Sequence, residues 1–128
     1  MKRDEHLHSI RPKLDVEDDL SLPEEVFQNE VIRPVIKFQS EALFAMMNDY
    51  IRRLSPDFRT YDLVRKRKFI ASAIQKDHTL HHQLIGMVVA CFTLEELQHF
   101  LQHRSEHSKR ISQILTERFC SQPEKLGS

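Results

Sequence analysis

The stretch LIGMVVACFTLEEL, residues 84–97, contains the two signals that decide the fold class. Its first nine residues, 84–92, are all apolar or glycine, so a helix here is hydrophobic on every side and needs cover from other helices. Thr93 follows, with Glu96 three residues later, and this spacing predicts a capping box that opens a new helix. The stretch therefore predicts a buried helix, a reversal of the chain, and a second helix packed against the first.

The glycine content points to the same class. The chain of 128 residues contains two glycines, Gly86 and Gly127, and nowhere sustains the alternation of apolar and polar residues that a strand requires. Because the turns of a sheet usually need glycine, these observations predict an all-α protein. The length indicates one domain.

Breaks in the helical period divide the chain into four predicted helices. We predict a four-helix-bundle-like domain over residues 22–121, between a flexible arm (1–21) and a frayed tail (122–128). The first long helix starts in SLPEE, residues 21–25, and is kinked near Pro34, since an internal proline removes a backbone hydrogen bond at a cost of ~3 kcal/mol. It ends before the turn at residues 55–56.

The second long helix is predicted to begin near Ser55 or Thr60 and to continue to Phe92. Asp77 is an alternative cap for a separate helix from His78, so residues 60–92 form either one helix or two; we prefer one. Two shorter helices follow, one opened by the capping box at Thr93 and one capped by Ser105.

Charge, apolar runs and cysteine spacing narrow the expected location and partners of the protein. Nineteen basic residues balance nineteen acidic ones, so no global field favours nucleic acid or an anionic membrane. The longest apolar run is far shorter than the roughly 20 residues that span a bilayer, and the N-terminus lacks the apolar core of a signal peptide. Cys91 and Cys120 have no paired spacing and are interpreted as free thiols. We expect a cytoplasmic protein with no membrane partner.

Histidines at helical spacing raise the question of a metal site. In EELQHFLQHRSEH, residues 95–107, three histidines follow one another at intervals of four, and a hairpin about residues 92–93 would bring a second pair to the same height. Imidazoles one turn apart are suitable zinc, nickel or copper ligands. The candidates are His78, His82, His99, His103 and His107. Both sets are predicted to face away from their own apolar stripes, so we expect a solvated face and no metal or other cofactor.

A local basic cluster is the main alternative binding site. Its members, on both sides of the first turn between long helices, are Arg52, Arg53, Arg65, Lys66, Arg67 and Lys68. Several cations on one side of a helix would bind phosphate or nucleic acid. Four consecutive residues on a helix point in four directions, however, so only part of this run is expected to contribute to a binding patch.

Catalytic motifs are not found in the sequence. There is no nucleophile elbow, glycine-rich phosphate loop or His-Glu-x-x-His zinc motif. We therefore expect a protein without catalytic activity that acts by binding another protein or a second copy of itself. The residues predicted to self-associate are Leu84, Ile85, Gly86, Met87, Val88, Val89 and Phe92. Gly86 is predicted to permit a close backbone approach that a larger residue would block.

The segments FQNEVIRPVIKFQ, LIGMV and FTLEELQ resemble a family of short bacterial all-helical proteins. The resemblance covers roughly residues 26–121. Some members carry the label "glyoxalase", but the metal-dependent glyoxalases hold their His and Glu ligands on strands, and this sequence predicts no strands. The resemblance therefore implies a helical fold and no particular activity or site residue.

Overall fold

The computed structural model describes residues 2–12 and 23–127, and over these residues the chain is all α with no strand. The helices are α1 (Arg3–Ile10), α2 (Pro23–Phe27), α3 (Arg33–Phe38), α4 (Ser40–Leu54), α5 (Leu63–Lys76), α6 (His78–Val89), α7 (Leu94–Gln102) and α8 (Arg104–Ser121). A π-helical turn, Gln28–Ile32, joins α2 to α3, and short 3-10 turns lie at Phe58–Thr60 and Pro123–Lys125. The all-α class is confirmed for this part of the chain. The predicted four-helix bundle is not, because both predicted long helices are divided.

The core lies where α4, α5 and α6 pack around α8. The predicted inner stripe of α8 is buried and consists of Ile111, Ile114, Leu115 and Phe119. These side chains repeat at the three- and four-residue spacing that keeps one helical face inward. Burial of each such side chain contributes about 1.5–3 kcal/mol, so the inner face of α8 is one of the main sources of stability in the fold.

The first predicted helix is irregular immediately before Pro34. Pro34 has no N–H to donate to the carbonyl four residues earlier, so the α-helical pattern cannot continue there. Instead the N–H of Arg33 bonds to the carbonyl oxygen of Gln28, which closes the π-helical turn. A second interruption falls at Gln39, whose side-chain amide donates to the carbonyl of Met87 at 3.0 Å. The expected single kink is thus a π turn followed by a break.

The second predicted helix is divided at Asp77, so the preferred single helix is wrong and the two-helix alternative is correct. The backbone of Asp77 is extended, and its carboxylate accepts hydrogen bonds from the N–H of Leu80 and the hydroxyl of Tyr50, both at 3.1 Å. This side chain therefore caps α6 and is held by α4. The N-terminus of α5 is capped by Asp62, and not by Ser55 or Thr60.

The C-terminal pair differs from the prediction in length. The capping box of Thr93 and Glu96 is present and opens α7, as predicted. The last helix begins at Arg104, one residue before the predicted cap Ser105, and His103 precedes it without a capping bond. At 18 residues α8 is longer than α4 or α5, so the expectation of a short final helix is wrong.

The N-terminal segment is helical and docked where a flexible arm was predicted. Asp4 accepts a hydrogen bond from the N–H of Leu94 at the start of α7. Arg11 makes a two-pronged contact with the carboxylate of Glu96, at 2.7 and 2.8 Å, in a largely buried ion pair. Residues 13–21 of the predicted arm lie outside the described residues.

The C-terminal tail is docked as well, although fraying was predicted. Asn48 on α4 donates to the carbonyl of Lys125 at 2.9 Å and accepts from the N–H of Gly127 at 2.8 Å. Leu126 is 3 % exposed and belongs to the core. One buried amide on α4 therefore anchors residues 125–127. Within the ranges that the structure describes, no helix has both the length and the apolar content needed to cross a bilayer.

Candidate functional site

The three histidines near the α7–α8 junction come together, but not on one helix. His99 lies on α7 and His107 on α8, because the chain leaves the helical conformation at His103. The ring centroids of His99 and His107 are 5.1 Å apart, and those of His103 and His107 are 6.2 Å apart. The break thus folds two imidazoles onto each other.

Phe27 covers this histidine pair from the end of α2. Its ring centroid lies 4.5 Å from that of His99 and 5.0 Å from that of His107. His107 is 7 % exposed as a result. The prediction of a solvated face is therefore wrong for His99 and His107. That prediction treated each helix as isolated, whereas the residue that covers the histidines, Phe27, is far from them in the sequence.

The covered histidines are poorly suited to carry charge. The Nε2 atoms of His99 and His107 are buried and have no hydrogen-bond partner. Burial lowers the pKa of His107, and the neighbouring His99 and His103 lower it further because positive charges repel. His107 is consequently suited to the neutral state at pH 7 and to sensing a fall in pH.

The other predicted pair, His78 and His82, lies on α6 and is exposed, with ring centroids 6.4 Å apart. No ring contact joins these two residues to His99, His103 or His107 in the described ranges. Among those same residues, no group of three or more His, Cys, Asp or Glu side chains is arranged to hold a metal ion.

A groove of about 1030 Å³ runs between α6 and α8. Its floor is apolar and includes Ile85, Val89 and Phe100, with Gly86 between them. Its longer wall is one continuous stripe of α8 that consists of Arg104, Ser105, Ser108, Lys109, Ser112, Gln113, Thr116 and Glu117. At 1.5 Å per residue this stripe is roughly 20 Å long, which is the length of a docked helix of three to four turns.

A serine and a histidine meet in this groove, but their geometry does not support nucleophilic catalysis. Ser112 Oγ lies 3.4 Å from Nδ1 of His81, and the same Nδ1 lies 3.1 Å from the carbonyl oxygen of Ile74. A carbonyl can accept and cannot donate, so Nδ1 carries the proton and is not available as a base for Ser112. Burial also raises the pKa of both thiols, Cys91 and Cys120, and keeps them in the less nucleophilic protonated form. The groove is suited to binding.

The members of the basic cluster lie on α4 and α5, and most of them have local partners. Arg53 and Arg52 lie 3.1 and 4.0 Å from the carboxylate of Asp49 on their own helix. Arg65 stacks over the ring of Tyr61 at 3.8 Å, and Lys66 lies 5.7 Å from the ring centroid of Phe58. Arg67 and Lys68 are exposed on α5. Four of the six candidates are thus engaged locally.

The predicted self-association residues are divided between the core and the groove. Leu84, Val88 and Phe92 are 0 % exposed in the core, so they are not available to a partner. Ile85, Gly86 and Val89 line the groove, whereas Met87 lies outside it, half-buried against the core. A β-carbon added at Gly86 would meet no atom within 4 Å, so the predicted close backbone approach is wrong.

Comparison of the chain with protein-family models, curated protein sequences and solved structures gives no match. The resemblance to short bacterial helical proteins accordingly stays a prediction. Sequence reasoning missed Phe27 as a cover of the histidines and the α8 stripe as a groove wall. The stripe had a visible signal in its repeated small residues Ser105, Ser108, Ser112 and Thr116, whereas Phe27 had none.

Proposed function

We propose that the protein acts by self-association, in which the α6–α8 groove of each copy receives α8 of a second copy about a two-fold axis. One observation carries the proposal: the α8 stripe is complementary to itself. Arg104 places positive charge at one end of the stripe, and Glu117 places negative charge at the other. An antiparallel second α8 therefore meets opposite charge at both ends.

The positions of the stripe match residue by residue. Each residue faces one that is equally distant from the midpoint between Arg110 and Ile111. The facing pairs, one member from each subunit, are Arg104–Glu117, Ser105–Thr116, Ser108–Gln113 and Lys109–Ser112. Three of these pairs contain a hydroxyl residue, so two helix axes approach to the roughly 8–10 Å of ordinary helix packing.

Two further features favour a second copy over other occupants. The chain has a formal net charge of zero, so two copies do not repel each other at long range. The apolar groove floor at Ile85 and Val89 gives the partner helix surface to cover, which is the main source of association free energy. A non-catalytic role in the cytoplasm is part of the same proposal, and the unpaired thiols of Cys91 and Cys120 support a reducing compartment.

The test is the mass of the protein in solution, measured by light scattering on a sizing column. We expect a dimer, and a monomer for Gly86→Leu, because the added side chain occupies the groove from a position where its β-carbon meets no atom of its own subunit within 4 Å. Arg104→Glu is expected to weaken the dimer through repulsion by Glu117 of the second copy. The double variant Arg104→Glu with Glu117→Arg restores the opposite-charge pair and is expected to restore the dimer.

Arg110→Glu is the matched control, because Arg110 is exposed on the same helix but does not line the groove. It changes the net charge equally and leaves the dimer intact. A monomeric wild type at tens of micromolar, or a Gly86→Leu protein that is still dimeric, would contradict the proposal.

The alternative of a nucleic-acid or phosphate-binding regulator that uses the six-residue basic cluster is tested by binding across a salt series. Affinity that falls steeply with salt and is lost in Lys66→Glu with Arg67→Glu would favour that alternative. The local contacts of Arg52, Arg53, Arg65 and Lys66 favour the dimer instead.

A further inference from the structure

A second, smaller pocket of about 300 Å³ lies between α3 and α8, beyond the end of the groove. Arg33 and Lys37 are four residues apart on α3 and face Arg118 on α8 across it. The buried side chains of Ile36 and Ile114, 2 % and 5 % exposed, form its floor. Three cationic side chains from two helices thus line one half-open pocket.

The charges in this pocket are not balanced. Glu117 is the one carboxylate among the lining residues, which leaves an excess of two positive charges. Within the described ranges, the ion pairs involve neither Arg33 nor Lys37. Like charges that outnumber the opposite charges in one pocket repel one another, and a bound anion relieves that repulsion.

Helix stabilisation accounts for two of the three cations, because Lys37 lies in the last turn of α3. Arg118 lies in the last turn of α8, where a positive charge is favourable to the helix dipole. Its Nε donates to Ser40 Oγ at 3.0 Å, which orients the guanidinium. Arg33 lies inside the continuous helical run 23–38, so no helix end favours its charge. Local helix energetics therefore do not account for the placement of Arg33.

We propose that this pocket binds a small phosphate monoester. A phosphate monoester carries close to two negative charges at pH 7 and accepts several charge-assisted hydrogen bonds, which matches the excess charge and the donors of two guanidinium groups. The pocket volume is at the lower end of the range for small-molecule sites, and the two isoleucines offer apolar contact to a short carbon skeleton. The proposal does not depend on the dimer.

The experiment is calorimetric titration with inorganic phosphate and with glycerol phosphate, at constant ionic strength and with chloride as the reference anion. Both phosphates are expected to bind at one site per chain, with the ester tighter. Arg33→Gln and Lys37→Gln are each expected to weaken binding by about tenfold, the loss of one charged hydrogen bond. Glutamine keeps the helix propensity close to that of arginine and lysine, so these variants are expected to fold.

Lys68→Gln, an exposed cation on α5, is the matched control and is expected to leave the affinity unchanged. Glu117→Gln removes the opposing carboxylate and is expected to tighten phosphate binding. Phosphate that binds no better than chloride, or equal affinity in Arg33→Gln and the wild type, overturns the proposal. Binding by a phosphoserine peptide without binding by glycerol phosphate overturns the small-molecule assignment.

Discussion

Two histidine pairs on neighbouring parts of the fold have different environments. His78 and His82 occupy successive turns of α6 and remain exposed, whereas His99 and His107 come from two helices and are enclosed beneath Phe27. All four belong to runs with a four-residue interval in the sequence. The difference shows that helical spacing places side chains on a face but does not determine what covers that face.

The largest effect is expected from removal of the cover. Phe27→Ala takes away a buried ring that contacts Phe92 and both enclosed histidines, so we expect a loss of about 3 to 5 kcal/mol in the free energy of unfolding. Denaturant titration measures the loss. Phe38→Ala is the control, because Phe38 is 43 % exposed and its loss leaves little cavity. Equal losses in the two variants would show that Phe27 is not a special cover.

Acid is expected to destabilise the folded protein through His107 of the enclosed pair. Because the pKa of His107 is lowered in the folded protein, the unfolded chain binds more protons between that pKa and the ordinary value of about 6.5. The effect of His107 on the unfolding free energy is therefore absent above about pH 6.5. Below that value the unfolding free energy falls as pH decreases to the lowered pKa, by at most about 1.4 kcal/mol per pH unit for one proton.

The groups around His107 determine the size of this effect. His99 from α7 and His103 disfavour its protonation, while Glu106 on α8 and Glu24 on α2 favour it. His107→Leu is expected to reduce the loss of unfolding free energy between pH 7 and pH 5 relative to the wild type. Unfolding curves at a series of pH values test this, and equal pH dependence in the variant and the wild type would remove His107 as the sensor.

The exposed pair depends on local structure, which Asp77 controls. Asp77→Ala removes the cap of α6 and the bond from Tyr50, and we expect a loss of about 0.5 to 2 kcal/mol in unfolding free energy. Asp77→Asn keeps a capping oxygen and is expected to lose less. If both variants unfold at the same denaturant concentration as the wild type, the cap does not hold the break between α5 and α6.

The smallest effect is expected from the exposed histidines themselves. His78→Ala and His82→Ala remove solvated side chains without a buried contact, so the unfolding free energy is expected to change by no more than about 0.5 kcal/mol. A larger loss in either variant would show that this pair has a structural partner. The same measurement on His99→Ala, in contrast, is expected to show a clear loss.

Local signals in the sequence predicted several features correctly, because each depends on neighbouring residues alone. The all-α class follows from scarce glycine and helical periodicity, the α7 start from Thr93 and Glu96, and the inner face of α8 from its apolar stripe. Asp77 was visible as a cap, but nothing local distinguished a capping role from an exposed one. Its bond to Tyr50, 27 residues away, supplies that distinction.

The candidate sites were predicted less well, since each depends on residues distant in the sequence. Gly86 faces an open groove because α8 lies beside α6 without closing over it, a relation that the apolar run could not indicate. The pocket cations Arg33 and Arg118 are 85 residues apart and share no motif. Their convergence follows from the packing of α3 on α8.

By itself the sequence determined the all-α class, the inner face of α8 and the cap of α7, because backbone hydrogen bonds and side-chain periodicity act within a few residues. The tertiary structure decided which helix covers which face: Phe27 over His99 and His107, Asn48 on the tail, and α8 beside α6. The physical reason is the difference between distance along the chain and distance in space. Burial, desolvation and charge convergence depend on all atoms within a few ångströms, whatever their distance along the chain.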